Sequence, residues 1–294
     1  MIPTQVRTTT RLKSILARRE AALLPGAANA LFARIVEDLG FEACYVTGAG
    51  IANMHLGVPD IGLTTLTEVA AHVAAMADAV EIPLLVDADT GFGNAINLGR
   101  TVKVLERAGA AGIQIEDQVF PKRCGHFEGK EVISLPEMLA KVRAATDARR
   151  DGDFQIVTRT DARAVFGLDA AIERAQAMIE AGADATFVEA PTSRAEIARI
   201  VAELPAPQVV NIVFGGRTPE IPQAELAAMG AGVALYANAA LQAAVKAVQD
   251  ALGALKRDGS LTAVADRLIG FNERQGMLRK DAFDALERRY RTAG

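Results

Sequence analysis

From Ala22 onward, short runs of β-branched and other apolar residues alternate with amphipathic, alanine-rich segments of about a dozen residues, and this alternation constrains the fold more than any other feature. Eight runs read as strands, at 22–25, 43–47, 84–87, 112–116, 155–159, 185–189, 209–213 and 233–236. Between and after them the periodicity predicts helices over 29–39, 67–79, 95–108, 135–148, 169–181, 194–204, 223–229 and 238–255. Gly40, Gly109, Gly182 and Gly230 supply the stops. Parallel strands need long crossovers, and eight βα units close most naturally into a (β/α)8 barrel, for which about 250 residues is typical. The expectation is one barrel domain over 1–294, with a C-terminal helical extension at about 258–294. Predicted helices over 261–269 and 272–291 carry Phe271, Met277, Leu278, Phe283 and Leu286, an apolar stripe that needs a partner and so predicts an oligomer.

A net charge of −4 and a pI near 5.6 leave no basic field for nucleic acid. The first 20 residues lack the apolar core of a signal peptide, so the expected setting is the cytoplasm, without membrane partners. Two cysteines are too few for a disulfide scaffold. Cys44 lies in an apolar strand, whereas Cys124 stands in Lys122-Arg123-Cys124-Gly125-His126, where neighbouring cations favour the thiolate.

In a (β/α)8 barrel the active site is built at the C-terminal ends of the strands, which makes the polar residues there the candidates. They are Tyr45 and Thr47, Asp87 and Asp89, Glu116 and Asp117, Arg159 and Asp161, Glu189, and Asn211. Asp87 and Asp89 suit Mg²⁺, which takes one or two carboxylates directly and keeps several waters that Glu116 and Asp60 could hold; the competing reading is that the two aspartates cap the helix starting near Ala95. Zinc is disfavoured, since neither Cys-x-x-Cys nor His-x-x-x-His occurs. Lys122 and Arg123 are either solvated charges or part of a loop that closes over an anionic substrate. Arg159 either pairs with Asp161 or Glu189 or grips a carboxylate by two parallel hydrogen bonds. Tyr45 and Thr47-Gly48-Ala49-Gly50 offer a phenol, a hydroxyl and unencumbered amides; the alternative is a buried tyrosine beside a turn.

These motifs resemble those of the isocitrate lyase/phosphoenolpyruvate mutase superfamily, over nearly the whole chain from Pro25-Gly26-Ala27 to the C-terminal helices. Lys122-Arg123-Cys124-Gly125-His126 resembles the signature of its short lyases, the 2-methylisocitrate and 2,3-dimethylmalate type. Val86-Asp87-Ala88-Asp89-Thr90-Gly91-Phe92-Gly93 and Gln114-Ile115-Glu116-Asp117-Gln118 mark the wider superfamily. The resemblance implies a Mg²⁺- or Mn²⁺-dependent enzyme that splits a C–C bond of a 2-hydroxy di- or tricarboxylate into an α-keto acid such as pyruvate and a carboxylate. It also implies a homotetramer exchanging C-terminal helices. Asp87 would ligate the metal and Asp60, Asp89 and Glu116 would hold its waters. Tyr45, Thr47, Gly48, Gly125, His126, Arg159, Glu189 and Asn211 would bind substrate, and the catalytic group would be Cys124, as carbanion proton donor, with Lys122, Tyr45 and His126. A second reaction stays open, decarboxylation or hydrolysis of oxaloacetate or phosphonopyruvate chemistry, against which the cysteine argues. The chain departs from the family at Thr47, where serine is common, at Asn238, where proline is frequent, and at Phe214, where glutamate is usual. Phe214 either removes a polar contact from the pocket and tilts preference toward a dicarboxylate, or points into the barrel wall and leaves the pocket unchanged.

Overall fold

The computed structural model describes residues 6–122 and 129–291. Strands β1 (Ala22–Ala27), β2 (Cys44–Val46), β3 (Leu84–Asp87), β4 (Gly112–Glu116), β5 (Gln155–Thr160), β6 (Ala185–Val188), β7 (Val209–Asn211) and β8 (Val233–Tyr236) are all parallel, in the order β6-β5-β4-β3-β2-β1-β8-β7. The two ends of that order meet at a parallel bridge between Thr186 and Gln208, reinforced by the Thr186 hydroxyl donating to Gln208 Oε1 at 2.8 Å. The result is a nearly closed (β/α)8 barrel, as expected.

Helices α1 (Thr8–Arg18), α2 (Ala30–Asp38), α3 (Gly48–Ile51), α4 (Leu66–Ala77), α5 (Ala95–Arg107), α6 (Leu135–Ala148), α7 (Ala162–Phe166), α8 (Leu168–Glu180), α9 (Arg194–Glu203), α10 (Gln223–Met229) and α11 (Ala239–Asp258) follow the chain order. Polar caps start five of the crossovers: the side chains of Asn29, Thr65, Asn94, Ser134 and Ser193 each accept a backbone N–H of the first turn. The helix near Ala95 is therefore capped by Asn94, which leaves Asp87 and Asp89 to the barrel mouth.

Helix α1 was not anticipated from the sequence. Its Leu12, Ile15 and Leu16, spaced for one helical face, pack with the barrel-interior residues Leu85, Val157, Phe187, Val209 and Val233. A Cβ added at Gly112, the first residue of β4, would lie 3.1 Å from Leu12 Cδ2, so α1 covers the N-terminal ends of the strands. The opposite end carries the functional groups. There β1 and the chain leaving β8 run against each other: a Cβ at Gly26 would fall 1.9 Å from the carbonyl oxygen of Ala237.

The contacts divide the chain into Met1–Ala240 and Leu241–Gly294. Within the second unit, 261–269 forms only a 3₁₀ turn over Thr262–Arg267, and the helix expected over 272–291 is two, α12 (Phe271–Met277) and α13 (Lys280–Tyr290). They are separated at Arg279, whose φ of 57° ends one helix and starts the next. No described helix is long and apolar enough to cross a membrane.

Candidate active site

The acidic half of the mouth is built where β3 stops. Asp87 is the last strand residue, and the chain then turns through Asp89 (φ 47°), Gly91 (φ 91°), Phe92 (φ 57°) and Gly93 (φ 141°). Two non-glycine residues in the left-handed region within four positions mark stored backbone strain, which concentrates at functional sites. The Asp89 amide donates to Asp87 Oδ1 at 3.1 Å, tying the two carboxylate-bearing residues together. Lys122 reaches into this cluster, bonding Asp60 by a short contact and lying 2.8 Å from Asp89 Oδ1. With 3% of its side chain exposed, Lys122 is not a solvated loop charge.

Burial pushes the Asp89 carboxyl up to about 6, with Asp87 and Asp60 adding to the rise and Lys122 opposing it. Burial also holds Glu116 well above the usual carboxylate range, despite Arg159 and Lys122. One ammonium thus does not compensate the carboxylates gathered here, and Glu116 Oε1 is buried without a hydrogen-bond partner. This donor set suits a divalent cation. Among the described residues no three Asp, Glu, His or Cys side chains come close enough to ligate one ion together.

The cationic half is Arg159 at the end of β5. Its Nε and Nη2 donate to Asp161 Oδ2 and Oδ1 at 3.0 and 3.1 Å, while Glu116 and Glu189 each stand 3.3 Å away. The guanidinium lies over the Phe187 ring, 5.3 Å from its centroid. Arg159 therefore makes the structural pairing that the sequence suggested and still faces the site. Tyr45, Thr47, Asp60, Asp87, Arg159, Glu189 and Asn211 line one cavity of about 40 Å³. Gly48 abuts Asp87, since a Cβ there would lie 3.0 Å from Asp87 Oδ2. Burial, with Asp87 adding to it, raises the Tyr45 phenol well above its ordinary value; it stays protonated and donates to Gln114 Oε1 at 2.7 Å. Cys124, Gly125 and His126, with Arg123, lie outside the described residues.

Three cavity or supporting residues escaped the sequence reading as site members. Asn238 lines the cavity and accepts a 3.2 Å hydrogen bond from Thr47 Oγ1; its position two residues after β8 was the available signal. Phe187 alternates with its neighbours along β6, and nothing in the sequence marks it as the floor under Arg159. Lys130, whose ammonium meets Asp161 at 2.6 Å, required the tertiary fold. Phe214 corrects an expectation: it is 84% exposed, and the cavity wall is Val213 instead, so it does not fill the pocket. Cys44 is a core residue, its thiol pushed up to about 12 by burial. His55 and His72 stack edge to face at 5.0 Å away from these groups.

A barrel whose strand ends set an acidic cluster opposite a guanidinium has the arrangement of an enzyme active site at the C-terminal face. The family model described as phosphoenolpyruvate phosphomutase matches residues 12–256. The chain is 42% identical over 287 residues to 2,3-dimethylmalate lyase of Eubacterium barkeri, covering 98% of this chain and 99% of that protein. It is 42% identical over 258 residues to 2-methylisocitrate lyase of Shewanella oneidensis, covering 88% of each. A crystal structure of 2,3-dimethylmalate lyase superimposes with a TM-score of 0.91 at 33% identity, over 97% of this chain and 96% of that one. A phosphonopyruvate hydrolase in complex with oxalate and Mg²⁺ gives 0.88 at 32%, over 97% and 99%. The chain belongs to the phosphoenolpyruvate mutase/isocitrate lyase superfamily, and it is an enzyme whose relatives there include proteins named as lyases.

Proposed function

We propose that this enzyme cleaves a C–C bond of a 2-hydroxy di- or tricarboxylate of the 2,3-dimethylmalate or 2-methylisocitrate type, giving an α-keto acid such as pyruvate and a carboxylate. The observation that carries this reading is the opposition of Asp60, Asp87, Asp89 and Glu116 to Arg159 in one mouth, in a chain whose lyase relatives align along nearly all its length. Asp87 would hold Mg²⁺ or Mn²⁺, with Asp60, Asp89 and Glu116 on its waters. A bound divalent ion supplies Lewis acidity, lowering the hydroxyl pKa and polarising the nascent carbonyl.

The chain's own groups do the rest. Arg159, Asn211 and Glu189 orient the keto-acid end, with the Tyr45 phenol, Thr47 and the Gly48 amide beside it. Loss of the substrate hydroxyl proton to a carboxylate of the acidic cluster lets the adjacent C–C bond break. Its electron pair passes to the departing carboxylate fragment as an enolate, which takes a proton at carbon from the Cys124 thiol. With Phe214 outside the cavity, the argument for a dicarboxylate over a tricarboxylate lapses, and both remain in the proposal. The exposed Phe271, Phe283 and Leu286 support a homo-oligomer, by the family pattern a tetramer, and the composition supports a cytoplasmic location.

The test is a substrate panel of 2,3-dimethylmalate, 2-methylisocitrate and oxaloacetate, with Mg²⁺ and with chelator, read by keto-acid release. Mg²⁺-dependent cleavage of one of the first two, lost in Cys124→Ser while pyruvate still binds, is the expected result. Turnover of oxaloacetate alone, or wild-type rates in Cys124→Ser, overturns the lyase reading.

A further inference from the structure

We infer that Lys130 is a positioning residue for the carboxylate-binding half of this site, acting on Arg159 through Asp161. The inference rests on the proposed function, in that it takes Arg159 to receive an anionic ligand. Asp161 Oδ1 accepts from two cations at once, Lys130 Nζ at 2.6 Å and Arg159 Nη2 at 3.1 Å. The side chains of Lys130 and Asp161 are 2% and 0% exposed, so the pair is removed from water.

Charge balance explains why a second cation is needed. Arg159 faces three carboxylates, those of Asp161, Glu116 and Glu189. With Arg159 as the only cation, an incoming carboxylate would enter a neighbourhood already dominated by negative charge. Lys130 balances Asp161 from the far side, so that Asp161 can hold the guanidinium fork in place without cancelling its charge. Burial alone would raise the Asp161 carboxyl, yet Arg159 and Lys130 together keep it below its ordinary value.

The ammonium is not needed to fold its own segment. Residues 129–133 return along 117–119 through backbone bonds, Val119 N–H to the Glu131 carbonyl at 2.9 Å and Ile133 N–H to the Asp117 carbonyl at 2.8 Å. The main chain of Asp161 is fixed separately, its amide donating to Asp117 Oδ1 at 2.9 Å. A buried lysine is a costly way to fill space where an apolar side chain would serve, which leaves its charge as the reason for its presence.

The test uses the full chain and oxalate as the anionic probe, by calorimetry with saturating Mg²⁺, and Mg²⁺ alone in parallel. Lys130→Gln is expected to weaken oxalate binding by about tenfold or more, leave the Mg²⁺ Kd within about twofold, and raise KM more than it lowers kcat, as loss of a buried charge partner acts on ligand binding. Lys130→Arg, which keeps the cation, is expected to recover most of the loss. Wild-type oxalate affinity in Lys130→Gln overturns the inference, as does an equal loss of Mg²⁺ and oxalate affinity that arginine does not rescue. Should Lys130→Gln not fold, Asp161→Glu takes its place: it keeps both charges but shifts the carboxylate that Lys130 and Arg159 share, and wild-type oxalate affinity there is equally fatal. A wild-type protein that takes up Mg²⁺ but no oxalate overturns the functional reading, and this inference with it.

Discussion

Gly48→Ala is the smallest perturbation that reaches the acidic half of the site without touching an ionisable group. Gly48 opens α3, where alanine is conformationally acceptable, so the fold is not strained by the backbone. The new methyl would stand 3.0 Å from Asp87 Oδ2 and 3.2 Å from its Cγ, whereas ordinary contact begins at 3.4 Å. Asp87 must therefore move by about 0.4 Å; if a 1 Å misplacement costs about 100-fold, this shift costs about sixfold in kcat/KM, or ~1 kcal/mol. The carboxylate cannot retreat freely, because its other oxygen accepts the Asp89 amide. The assay is kcat/KM on the substrate identified by the panel, with a Mg²⁺ activation curve and a thermal melt on the same preparation. Weaker Mg²⁺ activation with an unchanged melt is expected. A variant with the wild-type activation constant and kcat/KM would refute the assignment of Asp87 to the metal.

Two cheaper experiments bear on the neighbouring assignments. Phe214→Ala should leave the order of substrate preference unchanged and stability within about 0.5 kcal/mol, as for an ordinary surface replacement; a new preferred substrate would mean that the ring enters the pocket after all. Cys44 should stay unmodified when the native protein is treated with a thiol reagent near pH 8 and react only after denaturation, because its buried thiol is pushed up to about 12. Mass-spectrometric detection of labelled Cys44 in the native enzyme would contradict its placement in the barrel wall.

The strands were legible because parallel barrel strands are buried on both faces and read as unbroken apolar runs; β3, β4 and β8 fall where the sequence placed them. The acidic and cationic candidates were legible for a related reason, since a charged residue ending such a run has nowhere to go but the mouth. What escaped the sequence depends on partners far apart in the chain. Asp161 finds Lys130 31 positions away, and Thr47 finds Asn238 191 positions away, separations that no local pattern encodes. Helix α1 did leave a signal in Leu12, Ile15 and Leu16, but its three basic residues, Arg11, Lys13 and Arg18, obscured it. For Phe214, chain position alone could not tell a ring aimed inward from one aimed at solvent.

The absence of a side chain at position 26 limits how enzymes built on this barrel can diversify. Even a methyl there would drive into the peptide that precedes Asn238, so the first strand acts as a stop against which the exit of the last strand is seated. The main chain at 238 cannot drift to make room for a bulkier ligand. Retuning that wall of the cavity must come from exchanging the group mounted at 238, on a platform whose height is already set.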